Sequence, residues 1–163
     1  MSPSWGSWLL SGFAATLVLT TVEAGSQQAR LTRMSIPYLL GSMITAGREK
    51  AKWVGFLVHL VNGEVFALLY VALFHYWGAA GVWRGLLVGV AHAAVMLLVV
   101  VPLLPSIHPR MASEEQGPTV TRQLEPPGAL GLHYGATTPL FVLLGHAAYG
   151  MIIGGLYRLP LPG

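Results

Sequence analysis

The chain has no cysteine and no aspartate, and charged residues of every kind make up only 9% of its 163 positions. Without cysteine there can be no disulfide, thiolate metal site, cysteine-ligated iron–sulfur cluster or covalently attached haem. A soluble domain carries roughly 25% charged residues. Charge this sparse, with 54% hydrophobic residues and a mean hydropathy of +0.62, puts the chain in the membrane class. Its nine basic residues are scattered and form no patch, so nucleic acid is not an expected partner. A P-loop, a dinucleotide fingerprint, an HExxH motif and a nucleophile elbow are all missing. No residue is therefore assigned a catalytic role. No Lys or Arg precedes the first apolar run, so a cleaved signal peptide is not expected, and Trp5 and Trp8 suit an interfacial anchor.

What the chain does have is apolar length. Four segments can cross about 30 Å of hydrocarbon: residues 8–22, ending at Glu23; 53–77, with Trp53 and Trp77 marking its ends; 81–104, ending at Pro102 and Pro105; and 138–159, ending at Pro160. A shorter apolar stretch, 34–46, is interrupted by Pro37 and Gly41. It reads as an interfacial helix, a re-entrant segment or a helix packed under the bundle, and lying in the interface is the plainest of these. The expected fold is all-α: one domain, a four-helix transmembrane bundle with a short interfacial or re-entrant segment after the first helix. The tight Gly78–Gly81 connection predicts that the second and third spans are antiparallel neighbours. Residues 105–134, with prolines at 105, 109, 118, 126 and 127, read as a mostly irregular loop. Seven basic residues (Arg30, Arg33, Arg48, Lys50, Lys52, Arg110, Arg122) fall on the side of the two long loops, against Arg84 and Arg158 on the other. The positive-inside rule makes the loops cytoplasmic and both termini external.

One pattern occurs twice. His59, Gly63, Ala67 and Tyr70 lie on the second span; His146, Gly150, Gly154 and Tyr157 lie on the fourth. The first three residues of each set are four apart and share one helix face. The histidines come out at similar depth, on the order of 10 Å inside the boundary. This suggests two related helix hairpins, with a site where they meet; chance recurrence of common membrane residues is the alternative. The third span carries Gly81, Gly85, Gly89 and Ala93 at four-residue spacing, a ridge for close helix contact.

Polar residues inside the spans are costly in lipid and must be paired, protonated or wet. Glu64 lies near the middle of the second span, with His92 expected at the same depth as its partner, and Asn62 is spaced to orient His59. These three residues suggest a proton or ion path, or a hydrogen bond that fixes helix register. His59, His92 and His146 are candidate ligands for a b-type haem or a divalent metal, although no pair has the spacing of a helical metal site. His75 reads as an aromatic-belt residue, while His108 and His133 flank the long loop.

The string Arg33-Met-Ser-Ile-Pro37-Tyr-Leu-Leu-Gly41-Ser-Met, with Gly145-His146-Ala-Ala-Tyr149-Gly150-x3-Gly154-x2-Tyr157 downstream, resembles small bacterial four-helix integral membrane proteins of unknown function. The resemblance covers most of the chain. It implies a bacterial cytoplasmic membrane and transfers no activity. Three functional expectations stand: an accessory subunit or homo-oligomer packing through Gly63, Gly81, Gly85, Gly89, Gly150 and Gly154; a haem- or metal-binding protein; and a proton or ion pathway.

Overall fold

The structure is a computed structural model and describes residues 4–159. It is all-helical, with α1 (Trp5–Gln28), α2 (Ile36–Ile44), α3 (Arg48–Tyr76), α4 (Val82–Val95), α5 (Val101–Ile107) and α6 (Thr138–Leu156). A π-helical turn, Met96–Val100, joins α4 to α5, so residues 82–107 form one continuous rod. Four rods of 24, 29, 26 and 19 residues are long and apolar enough to cross a membrane. The chain is a multi-pass membrane protein. Pro160, expected to end the last span, lies outside the described residues.

Two helices run further than the sequence reading allowed. α1 continues through Glu23 to Gln28, because Glu23 is buried and does not mark a boundary. Its hydroxyl residues fit a span by bonding backward: Thr16 and Thr20 donate to the carbonyls four residues earlier, each at 2.8 Å. The third rod continues past Pro102 and Pro105 to Ile107. Pro102 has no N–H, and in α register its ring would strike the carbonyl of Leu98. The π turn lies at that point and widens the backbone there.

The bundle is held by glycine seams. α4 packs mainly on α6 in an antiparallel register that sets Gly81 against Gly154, Gly85 against Gly150, and Gly89 against His146. At Gly85, Gly89, Gly150 and Gly154 an added Cβ would overlap a carbonyl oxygen of the facing helix. Gly63 on α3 takes the side chain of Thr16 from α1 in the same way. Small-residue ridges of this kind let backbones approach in lipid. α1 also packs on α6, whereas α3 and α4 scarcely touch, although only a short turn links them. The expected contact between the second and third spans is therefore corrected: the α4 ridge faces α6, and α4 is held there instead.

α2, the short segment after the first span, packs lengthwise on α3. Gly41 sits against Ala51, and Pro37 against Gly55, which makes α2 an antiparallel partner of the first turns of α3. Leu39, Gly41 and Ser42 of α2 are buried by this packing. The long loop is also packed. Met111 is fully buried in a cluster with Met34, Leu39, Leu104 and Tyr134. The Tyr134 hydroxyl donates to the carbonyl of Glu125 at 2.6 Å.

His108 fastens this loop to α2. Its Nε2 lies 3.0 Å from the carbonyl of Leu39 and 3.2 Å from Ser42 Oγ, and Arg110 N–H donates to its Nδ1 at 3.1 Å. The Arg110 guanidinium donates to the carbonyl of Ser42. Burial first, with Arg110 and Arg122 nearby, holds the imidazole below its ordinary value of 6.5. A lowered folded pKa makes stability complete above pH 6.5 and erodes it as pH falls below that, by at most about 1.4 kcal/mol per unit. The thermal midpoint should drop between pH 6.5 and 5. His108→Asn should flatten that slope; an equal slope in the variant would detach the effect from His108.

Candidate functional site

Because α3 and α4 stand apart, a groove runs between them and leads into a cavity of about 110 Å³. Its walls come from α1 (Leu19, Glu23), α3 (His59, Asn62, Phe66), the α4–α5 rod (His92, Met96, Val100) and α6 (Val142, His146, Tyr149), with α2 residues Ile36, Leu39 and Leu40 at one end. The α3 and α4 residues at the groove are half-buried, which leaves the site open toward the side of the bundle. The π turn supplies Met96 and Val100 to this wall.

All three histidines predicted from the sequence line this one space. His146 Nδ1 donates to the carbonyl of Val142 at 2.8 Å, which leaves its Nε2 as an acceptor. The Tyr70 hydroxyl lies 3.1 Å from His92 Nδ1. If the phenol donates, the remaining proton sits on His92 Nε2, a buried atom with no partner. The rings of His92 and His146 meet edge to face with centroids 4.6 Å apart, and Phe66 flanks His92 at 4.4 Å. Tyr149 reaches across from α6 and donates to the carbonyl of Gly63 at 2.5 Å.

In the same space, His59 Nε2 and Glu23 Oε2 are 4.0 Å apart, and both atoms are buried. That is too long for a hydrogen bond, and neither atom has another partner. Most buried polar atoms are satisfied. Three unsatisfied ones around a single apolar cavity (Glu23 Oε2, His59 Nε2, His92 Nε2) make it a place that can receive a polar group.

No protein-family model, curated protein or solved structure matches this chain.

The geometry of the site revises several expectations. Glu64 is not paired with His92. Asn62 and Phe66 are four apart and face the groove, whereas Glu64 is two residues from Asn62, about 200° around the helix. Its carboxylate faces Gly12 on α1, and its main-chain carbonyl accepts from Trp8 Nε1 at 3.1 Å. Glu64 Oε2 is buried without a partner but lies outside the cavity. Asn62 lines the groove yet forms no hydrogen bond with His59 among the described residues. A haem between His92 and His146 does not fit, since rings in edge-to-face contact leave no gap for the macrocycle. Among the described residues no group of three or more His, Cys, Asp or Glu side chains is arranged to hold a metal ion.

The repeated pattern is only partly matched in space. His59 and His146 do share the cavity. Tyr70 reaches His92, but Tyr157 lies at the far end, 2.8 Å from His75 Nε2. The residue the sequence reading missed is Glu23, taken there as the end of a span. Thr16, Leu19, Glu23 and Ser26 are all buried on α1 at helical spacing, so a periodicity that continues past the charge was the available signal.

Proposed function

We propose that this protein binds a small amphiphile dissolved in the bilayer, its polar end among His59, His92, His146 and Glu23 and its apolar part along the groove between α3 and α4. The carrying observation is a groove open on the side of the bundle that leads to unpartnered buried polar atoms in an otherwise apolar cavity. A ligand entering from water would have to pass α2 and the packed loop; one entering from lipid meets no such cover. His92 offers a donor and His146 an acceptor, which suits a carbonyl or hydroxyl headgroup. The basic end is taken as cytoplasmic and the membrane as a bacterial inner membrane, following the charge asymmetry of the loops.

Organic extraction of the protein purified in nanodiscs, followed by mass spectrometry, tests this reading. A species beyond the bulk lipids should be recovered in stoichiometric amount. It should be lost from Met96→Trp, which fills the groove, and from His92→Phe. Recovery of nothing but bulk lipid, or undiminished recovery from both variants, would overturn the proposal.

A second reading is passage of protons. In its favour, polar groups stand at three depths: Tyr157 with His75, Tyr70 with His92 and His146, and Glu23 with His59. Proton flux into liposomes, reduced in Glu23→Gln, would support it over binding alone. The accessory-subunit reading relied on glycine ridges free to meet a partner. Gly81, Gly85, Gly89, Gly150 and Gly154 are instead used within one chain, so an assembly role has to rest on other surfaces.

A further inference from the structure

A second concavity, about 380 Å³, lies on the other side of Leu39 from the groove. It is walled by Arg33 and Ser35 ahead of α2, Tyr38 on α2, Arg48 and Lys52 on α3, and Glu125 from the long loop. Three cations thus face one carboxylate. Glu125 takes both arms of Arg33, at 2.6 and 3.0 Å, and this pairing raises the Arg33 pKa and lowers that of Glu125. Of the other two cations, Lys52 is paired only with the exposed Glu49, and Arg48 forms no salt bridge among the described residues. Lys52 touches Glu49 at 2.8 Å, but this is an exposed i,i+3 pair of the kind that contributes little and opens readily. Arg48 has no carboxylate within 4.0 Å among the described residues; its guanidinium lies 5.9 Å from the Tyr38 ring centroid. Ser35 precedes α2 without a side-chain cap bond, so its hydroxyl is not engaged by the helix end.

We propose that this cleft binds the phosphate of an anionic membrane lipid. A planar arginine fork, a lysine and a hydroxyl in one concavity match a phosphate monoanion. The lipid source follows from position. Lys52 is directly followed by Trp53, which is 73% exposed, and tryptophan at the end of a span marks the membrane interface. Basic residues beside a span attract anionic lipid, and here they are gathered into a pocket. The site uses none of the groove residues except Leu39, so it stands or falls separately from the groove proposal.

The test is native mass spectrometry of the full chain released from detergent micelles doped with phosphatidylglycerol or phosphatidylcholine. Phosphatidylglycerol should be retained as a one-to-one adduct and phosphatidylcholine should not. Arg48→Gln/Lys52→Gln should weaken retention at least tenfold. Lys50→Gln, which removes the intervening charge outside the cleft, should leave it within twofold. Equal loss in Lys50→Gln would reduce the effect to general surface charge and overturn the site. Equal retention of both lipids would also overturn it. Displacement of the lipid by equimolar inorganic phosphate would make the site one for free phosphate and overturn the lipid assignment. Melting temperature at matched detergent confirms that each variant is folded.

Discussion

Gly85→Leu or Gly150→Leu should prevent the fold from assembling, and Gly85→Ala should already lower the melting temperature. At the α4–α6 seam the backbones are in contact, so even one methyl group would overlap the carbonyl of the facing glycine. Neither side of the seam is the flexible end of a side chain, so relief requires moving a helix. Overpacking of this kind costs about 1–3 kcal/mol for a small addition, and more for leucine. The effect opposes helix propensity, since alanine in a helix interior is otherwise better than glycine by about 0.5–1 kcal/mol. Gly25→Ala supplies the control: nothing lies within 4 Å of its added Cβ, so this variant should melt at or above the wild-type temperature. Wild-type melting in Gly85→Ala would mean that the seam is looser than described.

Gly55→Val should release α2 from the bundle. Position 55 meets the carbonyl of Pro37 and the backbone of Gly41, so a side chain there displaces α2 along its length. α2 contributes Ile36, Leu39 and Leu40 to one end of the cavity, and its loss opens that end to water. The absence of cysteine gives a clean readout. In Leu39→Cys the thiol should react slowly with a membrane-impermeant maleimide, because Leu39 is 7% exposed. In Leu39→Cys/Gly55→Val it should react faster, since every 1.4 kcal/mol of lost packing raises the open population about tenfold. Equal labelling rates in the two backgrounds would show that α2 does not depend on this contact.

The Gly85 ridge and the Gly55 contact differ in how far they can be read from the chain. Gly81, Gly85 and Gly89 recur every fourth residue, so the ridge is visible as a pattern. Its partner is not: the short Gly78–Gly81 turn pointed to α3, and the structure puts α6 there. Gly55 lies four residues before His59, in register with Gly63 and Ala67, but Gly41 stands alone, and only the antiparallel packing of α2 on α3 brings the two together. Similarly, His59 and His146 announced themselves by their repeat. Glu23 did not, because a carboxylate near the end of an apolar run is indistinguishable from a boundary until its neighbours are known.

The sequence by itself determined the class of molecule. Apolar length is a local property, and residues 138–156 can satisfy their backbone in lipid only as a helix. It also placed His59, His92 and His146 within apolar segments, which the structure shows as parts of α3, α4 and α6. Only the tertiary structure decided which faces meet. Depth follows from counting along one helix, but contact depends on how each helix is rotated and which ridge it fills. Gly85 and Gly89 commit α4 to α6, which holds α4 away from α3. The groove is the space left by that choice; the rotation of α4 turns His92 toward His146, and that of α3 leaves Glu64 facing α1.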